Sequence, residues 1–343
     1  MKGIYEMRKE ATLEQWKLLY EAATRIKALK PWEKFWDLDL IGIRYGAEED
    51  TVFFSILGRG GDCYGISVYE GYKGLNSFLM LTMQESMNLS VEYAMHNQSA
   101  LTCYWGNREE LTDKQRKIVK ELGYSYRGKN QWLYFLSFEA GYYPFNLDAD
   151  EVQRMSEYLC DLELALKCYN DTDIQVDFEK GNMFLLSFGK DKKLRSFGER
   201  PLPFTAYAFG NLVITDEELI EKLSKAKKFD AILEADVISM HAKVAEKKYG
   251  RPANPSLSVL LDAVSEMVIN FEMSEPDDEP LGMLAEILID FVLQYGAPKE
   301  VRVSNVIIEA ALEHVCDICD IKLRRVKSLP AIETFKYGMH QFV

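Results

Sequence analysis

Apolar residues along this chain recur with either a two-residue or a 3.6-residue period, and the longest alternation between the two lies in its C-terminal third. Residues 258–264 and 267–273 are β-branched and aliphatic and read as strands, and 274–280 is a polar, acidic turn. Leu281, Leu284, Leu288, Phe291, Val292 and Tyr295 then fall on one helical face, which Gly296 and Pro298 close. A short strand at 301–303 follows. Ile308, Ala311, Leu312, Val315, Cys316 and Cys319 form a second helical stripe, and 321–326 returns as a strand. Strands joined by crossover helices make a mixed α/β sheet.

The N-terminal half has a different rhythm. Thr12 with Gln15 forms a capping box ahead of a helix whose buried stripe is Trp16, Leu19, Tyr20, Ala23 and Ile26. Strands are expected over 38–45, 51–57 and 63–69, with Gly58 to Asp62 as the tight connection, so the natural product is an antiparallel meander. A helix over 75–87, a strand over 101–105, a helix after Thr112 and an aromatic-rich strand over 131–138 extend it. Val152, Met155, Leu159, Leu162 and Leu166 mark a further helix. The reading is an α+β chain of two domains: 1–170, a β-rich connection over 171–204, and 205–343, where strands at 206–214 and 229–238 flank a helix that begins at Thr215.

Composition narrows the class. The chain has 343 residues, of which 48% are hydrophobic and 12% aromatic, enough for packed interiors. A formal charge of -13 repels phosphate backbones, so nucleic acid is disfavoured as a partner, and the basic runs at 222–228 and 243–251 read as solvated helix faces. Six cysteines sit mostly within apolar segments, which suits a reducing compartment. With no signal peptide and no span of about 18 apolar residues, the expected location is the cytoplasm, away from membranes.

Two passages carry a resemblance. Ile56-Leu-Gly58, Tyr64 to Tyr69 and Gly71, then Leu122 to Gly128, Trp132 and Gly141-Tyr-Tyr-Pro144, resemble a family of uncharacterised bacterial two-domain proteins that end in a Leu-Pro element, as Leu329-Pro330 does here. The resemblance implies the two-domain division and a bacterial cytoplasmic setting, and it names no reaction. Arg127, Trp132, Tyr142 and Tyr143 are the candidate binding residues, because aromatics beside an arginine take planar groups; aromatics on a strand are otherwise core.

From residue 229 onward the order of strands and helices resembles a ribonuclease-H-like topology, in which clustered carboxylates hold two divalent metals. The candidate carboxylates are Asp262 and Glu272, joined by Glu309 and Glu313, with Asp236 an alternative if 229–238 is the first strand. After the strand at 301–303, where an aspartate would commonly stand, this chain has Ser304 and Asn305. Neither supplies an anionic oxygen, and either serves as a helix N-cap. Cys316 and Cys319 beside His314 lack a second ligand pair for zinc and read as buried thiols. The four histidines are dispersed and identify no triad. The expectation is a non-catalytic binding or interaction protein with a protein or small-molecule partner and neither metal nor cofactor. The competing expectation is a degenerate metal-dependent nuclease or phosphodiesterase.

Overall fold

The computed structural model describes residues 8–203, 212–244 and 249–340. Its first unit is built from α1 (Leu13–Leu29), β1 (Ile41–Arg44), β2 (Thr51–Leu57), β3 (Gly65–Glu70), α2 (Gly71–Thr82) and α3 (Val91–His96). It continues with β4 (Ala100–Gly106), α4 (Asp113–Glu121), β5 (Trp132–Phe138), α5 (Ala149–Asn170), β6 (Asn182–Phe188) and β7 (Leu194–Pro201). The second unit comprises α6 (Glu217–Ser224), β8 (Lys228–Ser239), β9 (Ser256–Asp262), β10 (Val268–Ser274), α7 (Pro280–Tyr295), β11 (Ala297–Val303), α8 (Val306–Ile318), β12 (Lys322–Arg325) and α9 (Pro330–His340). The fold is α+β with two mixed sheets.

The first sheet has the order β5-β4-β3-β2-β1-β6-β7. Its first five strands are the antiparallel meander that the alternation predicts. The β6–β7 hairpin, expected to be a connection between domains, belongs to this sheet: β6 runs parallel to β1, with Ile41 opposite Phe184. Burial on both faces requires this. Met183, Phe184, Leu185 and Leu186 are all buried, as a strand sandwiched between two layers must be. α1 and α5 cover one face through Trp16, Tyr20, Met155 and Leu162, while α2 covers part of the other through Leu75 and Phe78.

α2 begins at Gly71, four residues earlier than its apolar rhythm suggests. Gly71 and Gly74 both lie inside the helix. A Cβ on Gly74 would stand 2.7 Å from the Tyr69 carbonyl carbon, so its absence lets the first turn press onto β3.

The second sheet has the order β10-β9-β8-β11-β12, antiparallel from β10 to β8 and parallel from β8 to β12. This is the succession expected from residue 229 onward, closed by α9. α7 and α8 pack on one face through Leu284, Leu288, Ile308 and Leu312, and α9 packs on the other through Ala331 and Ile332, with Leu329 just before it. β11 starts earlier than expected and includes Pro298, whose missing N–H coincides with a register shift before Glu300. The strand expected at 206–214 falls largely on residues outside those described, and 212–216 is irregular.

Gly296, which ends α7, has φ +114, and a Cβ there would collide with the Lys227 carbonyl oxygen. Gly296→Ala is expected to cost about 1–3 kcal/mol, since both the backbone and the close approach to the start of β8 must yield. Urea denaturation measures it; an unchanged midpoint would show that the α7–β11 turn relaxes freely.

Candidate functional site

β8 is the central strand of the second sheet, and its alternation places Glu234 and Asp236 on the same face as two buried carboxylates. α9 crosses that face. The Glu234 carboxylate accepts the Ile332 N–H at 3.1 Å, satisfying an otherwise unpaired donor in the first turn of α9. Lys336 lies one turn on, and its Nζ is 3.6 Å from Asp236 Oδ2. Two residues of strand span about 7 Å and four of helix about 6 Å, so fixing the first contact brings the second into place. Burial pushes both carboxyls above their ordinary range; at Asp236 the Lys336 ammonium and the Val237 N–H pull the other way.

The first unit closes this site. Ser90 caps α3 by accepting the Tyr93 N–H at 3.0 Å, and Tyr93 packs partly buried against both apolar clusters at the junction. Burial first, and the Asp236 charge second, push the Tyr93 phenol far up, so it remains a neutral hydroxyl. Met87, Leu89 and Ile307 form an apolar contact across the junction, and the Asn88 side chain donates to the Ser304 carbonyl. Glu92 meets His241 at 2.7 Å, and Asn254 donates to His96 Nδ1 at 3.0 Å. A donor at Nδ1 leaves the ring proton on Nε2, in keeping with the downward shift that burial imposes on His96.

Between these groups lies a cleft of about 290 Å³ lined by Ser90, Tyr93, His96, Asn254, Glu279 and Lys336 among others. A neighbouring hollow of about 250 Å³ reaches Asp236, Ser304, Asn305 and Lys327 and shares Tyr93 and Lys336 with it. Each is near the lower limit for a small-ligand pocket, and together they mix carboxylates, hydroxyls, amides and ammonium groups. That set can orient a polar molecule by hydrogen bonds of both senses.

The candidate carboxylates from the sequence are placed elsewhere. Asp262 ends β9 and turns back on its own loop, accepting from Val264 N, Ser265 N and Ser265 Oγ at 3.1, 2.7 and 2.8 Å, which holds its carboxyl low. Glu272 is exposed on β10 opposite Ser258, four residues along β9 from Asp262, or about 13 Å. Glu309 pairs with Arg325 at 3.1 Å, and Glu313 is exposed one turn further along α8. Among the described residues, no three His, Cys, Asp or Glu side chains form a group able to hold a metal ion. Asn305 accepts from Ile307 N and Ile308 N at 3.0 and 3.1 Å, so the residue after β11 caps α8.

The aromatic set divides between the two ends of β5. Trp132 opens the strand, packed edge-on to Tyr126 with Arg108 5.9 Å above its ring, while Arg127 is exposed in the preceding loop. Tyr142 and Tyr143 lie past the other end, at the junction. Tyr143 N donates to Pro252 O at 3.0 Å, and the arginine over Tyr142 is Arg251, at 4.7 Å. Burial raises the Cys316 and Cys319 thiols to about 12 and about 11, and His314 Nδ1 accepts the Ile214 N–H. Of the basic run at 222–228, Lys225 pairs with Glu221 and Lys228 with Asp320; 245–248 of the other run lies outside the described residues. Sequence reasoning named Asp236 only as an alternative and missed Lys336 and Tyr93, since neither shares a local pattern with it.

Because burial raises the folded-state value of Asp236, the folded chain holds that proton more tightly than the unfolded chain does. The associated stability is complete below about pH 4 and is lost as pH rises through the folded value, and Lys336 limits the loss. Lys336→Met is expected to deepen the fall between pH 4 and 7 by about 1–3 kcal/mol, less than for a fully buried pair, because the lysine side chain is 37% exposed. Asp236→Asn in the same chain should restore the shallower profile. Urea denaturation across that pH range reads both, and identical profiles for Lys336→Met and the parent would exclude the pairing.

Residues 16–186 match the domain of unknown function DUF7309, and residues 219–340 match the domain of unknown function DUF6930. No curated protein matches the chain. Among solved structures, a chain of the simian T-cell lymphotropic virus intasome in complex with PP2A regulatory subunit B56 gamma is similar at 14% identity and a TM-score of 0.24. That likeness covers 34% of this chain and 43% of the viral-complex chain, too slight to carry an argument. One match falls on each sheet: the chain is a two-domain protein that joins a DUF7309 domain to a DUF6930 domain.

Proposed function

We propose that the protein is a non-catalytic binding module and that the cleft between its two units takes a small polar ligand. The observation carrying this reading is the Asp236–Lys336 pair in a hollow that Tyr93 also lines. An ion pair whose carboxylate is buried returns little stability for the desolvation it costs, so its place in the lining of a hollow fits recognition better than packing. Tyr93 comes from the first unit and Lys336 from the second, so a ligand held by both would also brace the junction.

The second unit is read as a degenerate ribonuclease-H-like domain. Its strand succession supports this, and so do two substitutions of role. An ammonium stands beside Asp236, where a metal site would want a cation shared by several carboxylates, and Asn305 at the end of β11 is engaged as a helix cap. The alternative, a metal-dependent nuclease using Asp262, Glu272, Glu309 and Glu313, would need these groups to converge on ions about 4 Å apart. The six cysteines are all free thiols, which supports a reducing, cytoplasmic setting.

Native mass spectrometry of the purified full chain is expected to show a retained small molecule whose occupancy falls at least about tenfold in Tyr93→Ala, a loss of about 1.4 kcal/mol. Recovery of the bare chain mass alone, together with no thermal shift across a panel of polar metabolites, would remove the proposal. Labelled single-stranded DNA incubated with manganese should remain intact; cleavage abolished by Asp262→Ala or Asp236→Asn would restore the enzyme reading.

A further inference from the structure

Each sheet has two edge strands, and an unprotected edge invites another strand to pair with it. β7 is guarded by Arg195, Glu199, Arg200 and Pro201, and β12 is almost wholly basic, Lys322, Arg324 and Arg325 flanking Leu323. β5 is largely buried, and beyond it the chain turns back so that Ser137 pairs with Phe145. Among the described residues, β10 has no such guard. Ile269, Phe271 and Met273, with Met267 just before the strand, are 38%, 59%, 54% and 66% exposed, and Glu272 is the one charged residue within the strand. A register shift between Val268 and Asn270 kinks its start, but from Asn270 to Ser274 the strand pairs residue by residue with β9 and presents a regular outer edge.

We propose that β10 is the contact by which two copies of this chain associate, pairing antiparallel about a two-fold axis at Phe271. In that register Phe271 faces its own copy, Ile269 faces Met273, and Asn270 faces Glu272, so no like charges oppose one another. A chain of charge -13 otherwise repels itself, and this strand is a place where it meets a copy without opposing carboxylates. The area is adequate. Four half-exposed apolar side chains remove roughly 400 Å² per copy, and with the strand backbone and flanking turns the pair reaches about the 1,000 Å² of a specific interface. The two five-stranded sheets would become one of ten strands, and the cleft at Tyr93 and Lys336, lined in part by Ser274 and the turn that follows β10, would lie at the end of the contact.

Sedimentation equilibrium of the full chain is expected to give twice the single-chain mass of 39.5 kDa, with Phe271→Lys raising the dissociation constant at least about tenfold. Leu164→Lys, at an exposed apolar position on α5, should leave the association unchanged. With the exposed Cys63 and Cys160 replaced by serine, Phe271→Cys is expected to form a covalent dimer under mild oxidation, and Val264→Cys in the same background is not. A parent chain that stays monomeric to about 100 µM, well above the affinities of specific dimers, would overturn the proposal. So would a dimer indifferent to Phe271→Lys, or a monomer whose β10 instead captures a different protein.

Discussion

A carboxylate removed from water must be neutralised or given partners, and the second unit is organised around two of them on one strand. Glu234 and Asp236 can be tolerated in the middle of a five-stranded sheet because α9 answers both, first with a backbone N–H and then with an ammonium. This requirement sets the height and direction of α9 over β8. Its apolar residues Ala331 and Ile332, with Leu329 just before the helix, fill the layer beneath. The helix is therefore located by polar contacts and retained by apolar ones.

The junction between the two units follows the same division of labour. Met87, Leu89 and Ile307 exclude water across it, while Arg251, buried on one side, meets Glu139 and stacks on Tyr142. Burial disfavours the Arg251 charge, so its carboxylate and aromatic partners from the first unit help to hold it there. Apolar contact supplies the attraction, and the polar pairs select the orientation in which the cleft exists.

The hairpin β6–β7 illustrates how far local pattern carries. Its apolar run was legible as a strand, yet period alone does not distinguish a free hairpin from a strand buried on both faces. Only the pairing of β6 with β1, which brings together residues about 140 apart in sequence, makes it part of the first sheet. The candidate site was partly visible for a related reason. A helix cap at Asn305 and buried thiols at Cys316 and Cys319 are local properties, and the structure has them where the sequence placed them. The four candidate carboxylates were chosen by strand order, which says nothing of distance along the strand or of which turn a side chain caps.

What the sequence by itself determined are the quantities that depend on neighbours within a turn or a strand. Those are the meander, the capping boxes at Thr12 and Thr112, the helical stripes of α7 and α8, and the succession of elements in the second unit. The tertiary structure alone decided that Asp236 meets Lys336 one hundred residues later, that Tyr93 of the other unit lines the same hollow, and that Tyr142 finds Arg251 instead of Arg127. The physical reason is that periodicity encodes which face of an element is buried. Which charge then opposes which is fixed only when two such faces are brought together and water is removed from between them.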